Sequence, residues 1–236
     1  MTSETARRLA ENLETVRRRI AEAARRAGRD PAQVRLVAVT KYVSAETVRR
    51  LVEAGCRALG ESRPQQLWAK AAALADLPIE WHLVGHLQRN KVLRTLPLAA
   101  WIHSVDSVRL LETIDRAAAE LALRPKVLLE VHISGEATKQ GFAAEELEGV
   151  VAEAARFAHV EVRGLMGMAG LEGGLDAARR QFARLRALRD RLRQVCPSSI
   201  ELAELSMGMS GDYEAAIAEG ATLVRVGSAL FEGIAS

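Results

Sequence analysis

Lys41 is the residue of this sequence whose type and position best suit covalent chemistry. It is one of only five lysines in a chain that carries most of its positive charge as arginine, and it directly follows the apolar run 34–40. Arginine stays protonated, whereas a desolvated lysine loses its proton and its amine attacks a carbonyl carbon. Lys41 is therefore a candidate for forming a Schiff base. The bare residue leaves a second interpretation open, a solvated lysine at the start of a helix.

Two loops near the carboxyl terminus have the composition of a phosphate site. Leu205-Ser-Met-Gly-Met-Ser-Gly-Asp212 and Arg225-Val-Gly-Ser-Ala229 each combine small residues, a hydroxyl and backbone N–H groups just before a predicted helix. They follow the seventh and eighth predicted strands, where barrels commonly bind a phosphate. The alternative for Ser210 and Ser228 is ordinary capping of the helices that follow.

Arg225 lies among apolar residues in the last predicted strand, Leu-Val-Arg-Val-Gly. Alternation along a strand places its side chain on the same side as Leu223 and Gly227, toward the mouth of a barrel. A buried arginine needs a partner. Two interpretations remain open, a role at the mouth and a buried ion pair with a strand carboxylate such as Glu130.

Other chemistries have little support in the sequence. His82 and His86 are four residues apart, but they stand in or beside a predicted strand, where that spacing separates them by roughly 13 Å. Ser210 stands in Gly-Met-Ser-Gly, which is not the Gly-x-Ser-x-Gly elbow of serine hydrolases. We therefore expect neither a metal site nor a serine hydrolase.

Short apolar runs alternate with amphipathic stretches along the whole chain. The runs have the composition of strands covered on both faces, and the stretches between them carry apolar residues at helical spacing. A helix over residues 3–27, ended by Gly28, precedes the first run. Eight strands are predicted, at residues 34–40, 57–60, 80–85, 101–104, 126–133, 160–166, 201–206 and 222–227.

This repetition predicts a single (β/α)8 TIM barrel of the α/β class, forming one domain over residues 1–236 with 1–28 as an extra N-terminal helix packed on it. An open doubly wound sheet is the alternative, because the number of units does not exclude it. No Gly-x-Gly-x-x-Gly follows the first strand, so a dinucleotide fold has no support. In a barrel the carboxyl ends of the strands form the functional face, which would place Lys41 and the two loops at one opening.

Composition and charge argue against several classes of protein. The 236 residues are 49% hydrophobic and 27% charged, with a net charge of only +3 and 4% aromatic residues, which does not supply the basic face or the stacking surface that nucleic acids need. Two distant cysteines, Cys56 and Cys196, predict no disulfide framework and fit a reducing compartment. The charged N-terminus and the lack of a long apolar run predict no membrane span and a cytoplasmic location.

Several motifs together resemble the pyridoxal phosphate homeostasis protein family, also called the YggS family. The most specific are Trp81-His-Leu-Val-Gly-His-Leu-Gln-Arg-Asn-Lys91 and Ser206-Met-Gly-Met-Ser210, and Val39-Thr-Lys41, Leu59-Gly-Glu61 and Val224-Arg-Val-Gly-Ser228 agree with them. They occur in order from the first predicted strand to the last, so the resemblance covers essentially the whole chain.

The resemblance implies a barrel like the N-terminal domain of alanine racemase, with pyridoxal 5′-phosphate (PLP) bound as a Schiff base on Lys41. It also implies that Arg225 faces the pyridine nitrogen. The family usually has Gly-Glu-Asn-Tyr where this chain has Gly60-Glu-Ser-Arg63, so the role of Ser62 is in doubt. The phosphate would be held, largely through backbone N–H groups, by Ser206, Gly208, Met209, Ser210, Gly227 and Ser228.

An arginine at the pyridine nitrogen disfavours its protonation and weakens the ring as an electron sink. A racemase also needs acid and base groups on both faces of the substrate. In alanine racemases one of these groups is a tyrosine of a second domain. This chain has no residues left to form that domain. We therefore expect a protein that holds, buffers and delivers PLP to apoenzymes, acting as a monomer with little turnover. The alternatives are a weak amino-acid racemase or lyase, and an aldolase-type barrel that uses Lys41.

Overall fold

Eight parallel strands alternate with helices in the computed structural model, which describes residues 3–134, 141–170 and 172–234. The strands are β1 Arg35–Val39, β2 Ala58–Glu61, β3 Glu80–Leu83, β4 Ala99–Val105, β5 Lys126–Glu130, β6 Glu161–Met166, β7 Glu204–Ser206 and β8 Leu223–Val226. The helices are α1 Ser3–Arg26, α2 Ala45–Glu53, α3 Pro64–Ala73, α4 Val92–Thr95, α5 Val108–Glu120, α6 Leu147–Ala154, α7 Gly174–Val195 and α8 Tyr213–Ala218.

The sheet closes into a barrel in which each strand pairs with the next and β8 pairs with β1. This last pairing runs in register from Arg35 opposite Leu223 to Ala38 opposite Val226. The closure confirms the predicted (β/α)8 barrel and excludes the open doubly wound sheet. All eight carboxyl ends therefore surround one opening.

The strands carry apolar side chains on both faces because they lie between two apolar cores. The larger core lies between the strands and the surrounding helices, whereas a small apolar cluster lies apart from it. Alternation along the strands places this small cluster inside the barrel, where it is formed by Val37, Trp101, Leu128, Met166 and Leu223. It shares the barrel interior with buried polar side chains, among them His82, His103 and Arg225.

Helix α1 buries the apolar stripe that its spacing predicted. Leu9, Leu13, Val16 and Ile20 are all buried, and the helix packs mainly against α8 and the last 3-10 turn, Ser228–Leu230. The side-chain amide of Asn12 donates hydrogen bonds to the carbonyls of residues 230 and 232. Helix α1 thus supports the segment that follows β8. None of the described helices combines the length and apolar composition that crossing a bilayer requires.

One departure from the predicted boundaries follows β5. The sequence predicted a strand to Ile133, but β5 ends at Glu130 and the chain then pairs with a neighbouring loop, where the N–H of His132 donates to the carbonyl of Phe142. Gly141 allows this turn because its φ is +119°, a conformation that L side chains rarely adopt. Glu130 consequently lies at the end of its strand, at the barrel mouth.

Candidate functional site

Lys41 lies at the mouth of the barrel, two residues beyond the end of β1. It is half-buried, and its Nζ stands 4.7 Å from the centre of the Tyr42 ring, which is itself 79% exposed. No carboxylate of the described residues lies within ion-pair distance of this amine. The lysine therefore has no counter-ion among them, and its amine is available to a ligand at the mouth.

A buried network holds the backbone just before Lys41. The carboxylate of Glu61, at the end of β2, accepts hydrogen bonds at 2.6 Å from the Thr40 hydroxyl and from the Lys70 ammonium. The same ammonium donates to the Thr40 carbonyl at 2.6 Å. Glu61 is fully buried, and its other oxygen, Oε2, has no partner among the described residues. This network was not predicted from the sequence, although Glu61 directly follows the predicted strand 57–60 and so belongs to the mouth.

The two loops expected to hold a phosphate are joined by one hydroxyl. Ser210 Oγ, in the loop between β7 and α8, accepts the backbone N–H of Gly227 at 3.1 Å and that of Ala229 at 3.5 Å. The Ser210 hydroxyl therefore bonds to the loop after β8 rather than to the first turn of α8. The backbone N–H groups of Gly208, Ser210, Gly211 and Ser228 donate no hydrogen bond within the described part of the chain, so they are available to an anion.

The first of these loops folds tightly onto α8. Gly208 has a φ of +91°, and a Cβ atom there would come within 2.6 Å of the Ala216 side chain and 2.8 Å of the Tyr213 backbone. The Met209 N–H donates to the Asp212 carboxylate at 2.6 Å. Among the residues implied to hold the phosphate, Met209 and Gly227 thus have their backbone N–H groups already engaged, whereas the N–H of Gly208 is not.

Arg225 is buried inside the barrel, on the side that strand alternation predicted. Its guanidinium donates to Ser206 Oγ at 2.6 Å and to the Gly167 carbonyl at 3.1 Å, and it forms no ion pair with Glu130. Burial lowers the pKa of Arg225 to about 10, so the side chain stays cationic at neutral pH. A guanidinium carries more donors than these two bonds use, which leaves it able to bind a further acceptor.

The partner of Arg225 continues into a chain of histidines that sequence analysis missed. Ser206 Oγ lies 2.8 Å from His103 Nδ1, and His103 Nε2 lies 2.9 Å from His82 Nδ1. His82 Nε2 in turn lies 2.9 Å from a carboxylate oxygen of Glu80. The signal in the sequence was the placement of histidines on neighbouring strands, which becomes a contact only after β3 and β4 pair.

The second histidine of the 82–86 spacing faces different partners. His86 Nδ1 lies 3.2 Å from an Asp106 oxygen at the mouth, and its side chain is 43% exposed. Burial, together with the charge of Asp106, raises the pKa of the nearby Glu130. The described residues hold no group of three or more histidine, cysteine, aspartate or glutamate side chains placed to bind a metal ion.

Comparison with known proteins gives the family. The family model for the alanine racemase N-terminal domain matches residues 11–234. The chain is 42% identical over 226 residues to the pyridoxal phosphate homeostasis protein of Pseudomonas aeruginosa (94% of each chain), and 45% identical over 215 residues to that of Deinococcus radiodurans (90% of this chain, 95% of the other). The structure of PipY from Synechococcus elongatus PCC7942 with PLP bound has a TM-score of 0.84 and 38% identity, covering 94% of this chain and 99% of that one.

A closed parallel barrel with the Lys41 amine and two bridged loops at its mouth places this chain among the alanine racemase N-terminal domains. Within that class, at 37–45% identity to curated relatives, it belongs to the family of pyridoxal phosphate homeostasis proteins.

Proposed function

We propose that this protein binds PLP and holds it for use elsewhere in the cell. The observation that carries the proposal is the joint placement of the Lys41 amine and the bridged loops at one opening. An aldehyde carried on a phosphate needs both a nucleophilic amine and a cluster of N–H donors, and the mouth supplies the two together.

The residues present fit this cofactor. The unengaged N–H groups of Gly208, Ser210 and Ser228 would receive the phosphate, with Ser206, Met209 and Gly227 completing the loops around it. Lys41 would join through its amine, since condensation of an amine with an aldehyde forms the C=N bond of a Schiff base and releases one water. PLP, when bound to an enzyme, supplies an electron sink for amino-acid chemistry.

Arg225 would face the pyridine nitrogen as a donor. Because its guanidinium stays cationic at neutral pH, it would oppose protonation of that nitrogen. An unprotonated ring withdraws electrons weakly, so the arrangement favours retention of the cofactor over broad reactivity with amino acids. This supports a holding and buffering role with little turnover.

The attachment is tested by adding PLP to the purified protein, reducing with borohydride and mapping the modified lysine by mass spectrometry. We expect the adduct on Lys41 and its loss in Lys41→Ala. Lys126→Ala is the matched control, because Lys126 begins β5 and so lies at the opposite end of the barrel. An adduct spread equally over several lysines would overturn the proposed attachment.

Retention and turnover are separated by a second measurement. The loaded protein is incubated with L-alanine, L-serine and L-threonine in D2O, and exchange of the α-proton is followed by NMR. We expect exchange close to that of free PLP at the same concentration. Rapid exchange that disappears in Lys41→Ala would instead establish a racemase or lyase.

We also propose that the protein delivers PLP to apoenzymes, and that it is a monomer in the cytoplasm. In that compartment both cysteines would remain the free thiols seen here. Loaded protein is mixed with an apoenzyme that requires PLP, and activation is compared with that by an equal amount of free PLP. Direct delivery predicts that the rate of transfer per loaded protein rises with the concentration of apoenzyme. A rate fixed by spontaneous release would reduce the role to storage.

A further inference from the structure

A continuous chain of polar side chains runs through the interior of the barrel, away from the mouth. It begins at Arg225 and passes through Ser206, His103 and His82 to Glu80, and each link is between 2.6 and 2.9 Å long. Its middle members, Ser206, His103 and His82, are fully buried, so no water competes for these bonds. Glu80, the first residue of β3, is 35% exposed and lines a cavity of about 560 Å³ near the amino ends of β1 and β2.

The two ends of this chain determine the direction of its bonds. A guanidinium only donates and a carboxylate only accepts. If both histidines are neutral, one pattern satisfies every link: Arg225 donates to Ser206, whose hydroxyl donates to Nδ1 of His103. Nε2 of His103 then donates to Nδ1 of His82, and Nε2 of His82 donates to Glu80. The reverse direction requires His82 to be protonated on both nitrogens.

The surroundings of both histidines favour the neutral pattern. Burial lowers the pKa of His82, against the opposing effect of Glu80, and the charges of Arg35 and Lys126 lower it further. Burial places the pKa of His103 well below its usual range, and the positive charges of Arg225 and Arg35 act in the same direction. Arg35 also pairs with Glu80 at 3.1 Å, which offsets the charge at the outer end of the chain.

We infer that His103 and His82 are positioning residues for Arg225. Because His103 Nδ1 accepts a hydrogen bond from the Ser206 hydroxyl, only the lone pairs of Ser206 Oγ face Arg225, and this fixes the direction in which the guanidinium points. His82 and Glu80 hold His103 in the tautomer that this requires. The inference rests on the proposed function, in which Arg225 faces the pyridine nitrogen, and it assigns the Ser206 hydroxyl to Arg225 rather than to the phosphate.

The bond directions are tested in the protein without cofactor. Long-range proton–nitrogen NMR spectra distinguish the two ring nitrogens of each histidine. We expect both His82 and His103 to be neutral and protonated on Nε2 throughout the neutral pH range. A proton on Nδ1 of either ring, or an imidazolium at His82, would overturn the inference whatever the protein binds.

The effect on Arg225 is tested by two substitutions of His103. In His103→Asn the side-chain oxygen replaces Nδ1 as the acceptor for Ser206, whereas His103→Leu provides no acceptor. We expect the leucine variant to bind PLP about tenfold more weakly and to change the absorption spectrum of the bound cofactor, and the asparagine variant to remain within about threefold of the parent. If the histidine merely filled space, the apolar leucine would be the better tolerated of the two.

Thermal unfolding of both variants separates loss of folding from loss of positioning. Should leucine and asparagine weaken binding equally in folded proteins, the inference fails while PLP binding by the parent stands. Should the parent protein itself fail to bind PLP, the proposed function fails, and the tautomers measured without cofactor still decide the direction of the bonds.

Discussion

Ser210 Oγ accepts the backbone N–H of Gly227 at 3.1 Å, so a hydroxyl from the loop after β7 fixes the position of the loop after β8. The two loops are 17 residues apart along the chain. Their association lets N–H groups from both act on one anion, which a flexible pair of loops would do only at an entropic cost.

Replacing Ser210 with alanine removes this link. We expect Ser210→Ala to bind PLP about tenfold more weakly and to lose about 1 kcal/mol of the free energy of unfolding, because the half-buried N–H of Gly227 is left without its acceptor. Isothermal titration and urea denaturation measure the two effects. Ser199→Ala, on the exposed turn before Ile200, is the control and should change neither.

Gly208 is expected to be sensitive to the smallest substitution. Gly208→Ala combines a positive φ with contact against Ala216 and Tyr213, so we expect a loss of about 1 to 3 kcal/mol in the free energy of unfolding. Gly149→Ala in α6 is the matched control, because a Cβ there meets nothing within 4 Å. The control should be neutral or more stable by up to about 1 kcal/mol, since alanine favours helices. Equal losses in the two variants would contradict the strain argument.

The Glu61–Lys70 pair is expected to stabilise the protein only as a pair. Glu61→Gln leaves the Lys70 ammonium without its counter-ion, and we expect a loss of about 3 kcal/mol by chemical denaturation. Adding Lys70→Met should recover part of that loss, because the buried charge is then removed. If the two substitutions destabilise additively, the pair is not coupled.

Stability should fall on acidification because of the buried histidines. The pKa values of His82 and His103 are lower in the folded protein than the usual value near 6.5 of the unfolded chain. Above that pH these histidines are unprotonated in both the folded and the unfolded state, so they do not change the free energy of unfolding. Below it the unfolded chain binds protons that the folded protein does not, so each histidine removes up to about 1.4 kcal/mol of stability per pH unit.

Unfolding free energies measured across this pH range test the prediction directly. His103→Asn should flatten the slope relative to the parent, since one such group is gone. A parent protein whose stability is level on acidification would contradict the neutral state of both rings.

The alternation of strands and helices was readable from the sequence because it depends on local periodicity. Residues 34–40 predicted β1 to within one residue at each end, and the stripe of Leu9, Leu13, Val16 and Ile20 predicted the buried face of α1. The position of Lys41 just after a strand also follows from the chain alone. Strand alternation likewise placed Arg225 on the inward side.

The hydrogen-bond partners of the side chains inside the barrel were decided only by the tertiary structure. Arg225 binds Ser206 and not Glu130, and His82 meets His103, because closure and register bring those particular positions of different strands together. Such contacts depend on the stagger of the strands, and a shift of one residue would turn each side chain to the opposite face. The sequence determined which side chains point inward, and the closed sheet determined which of them touch.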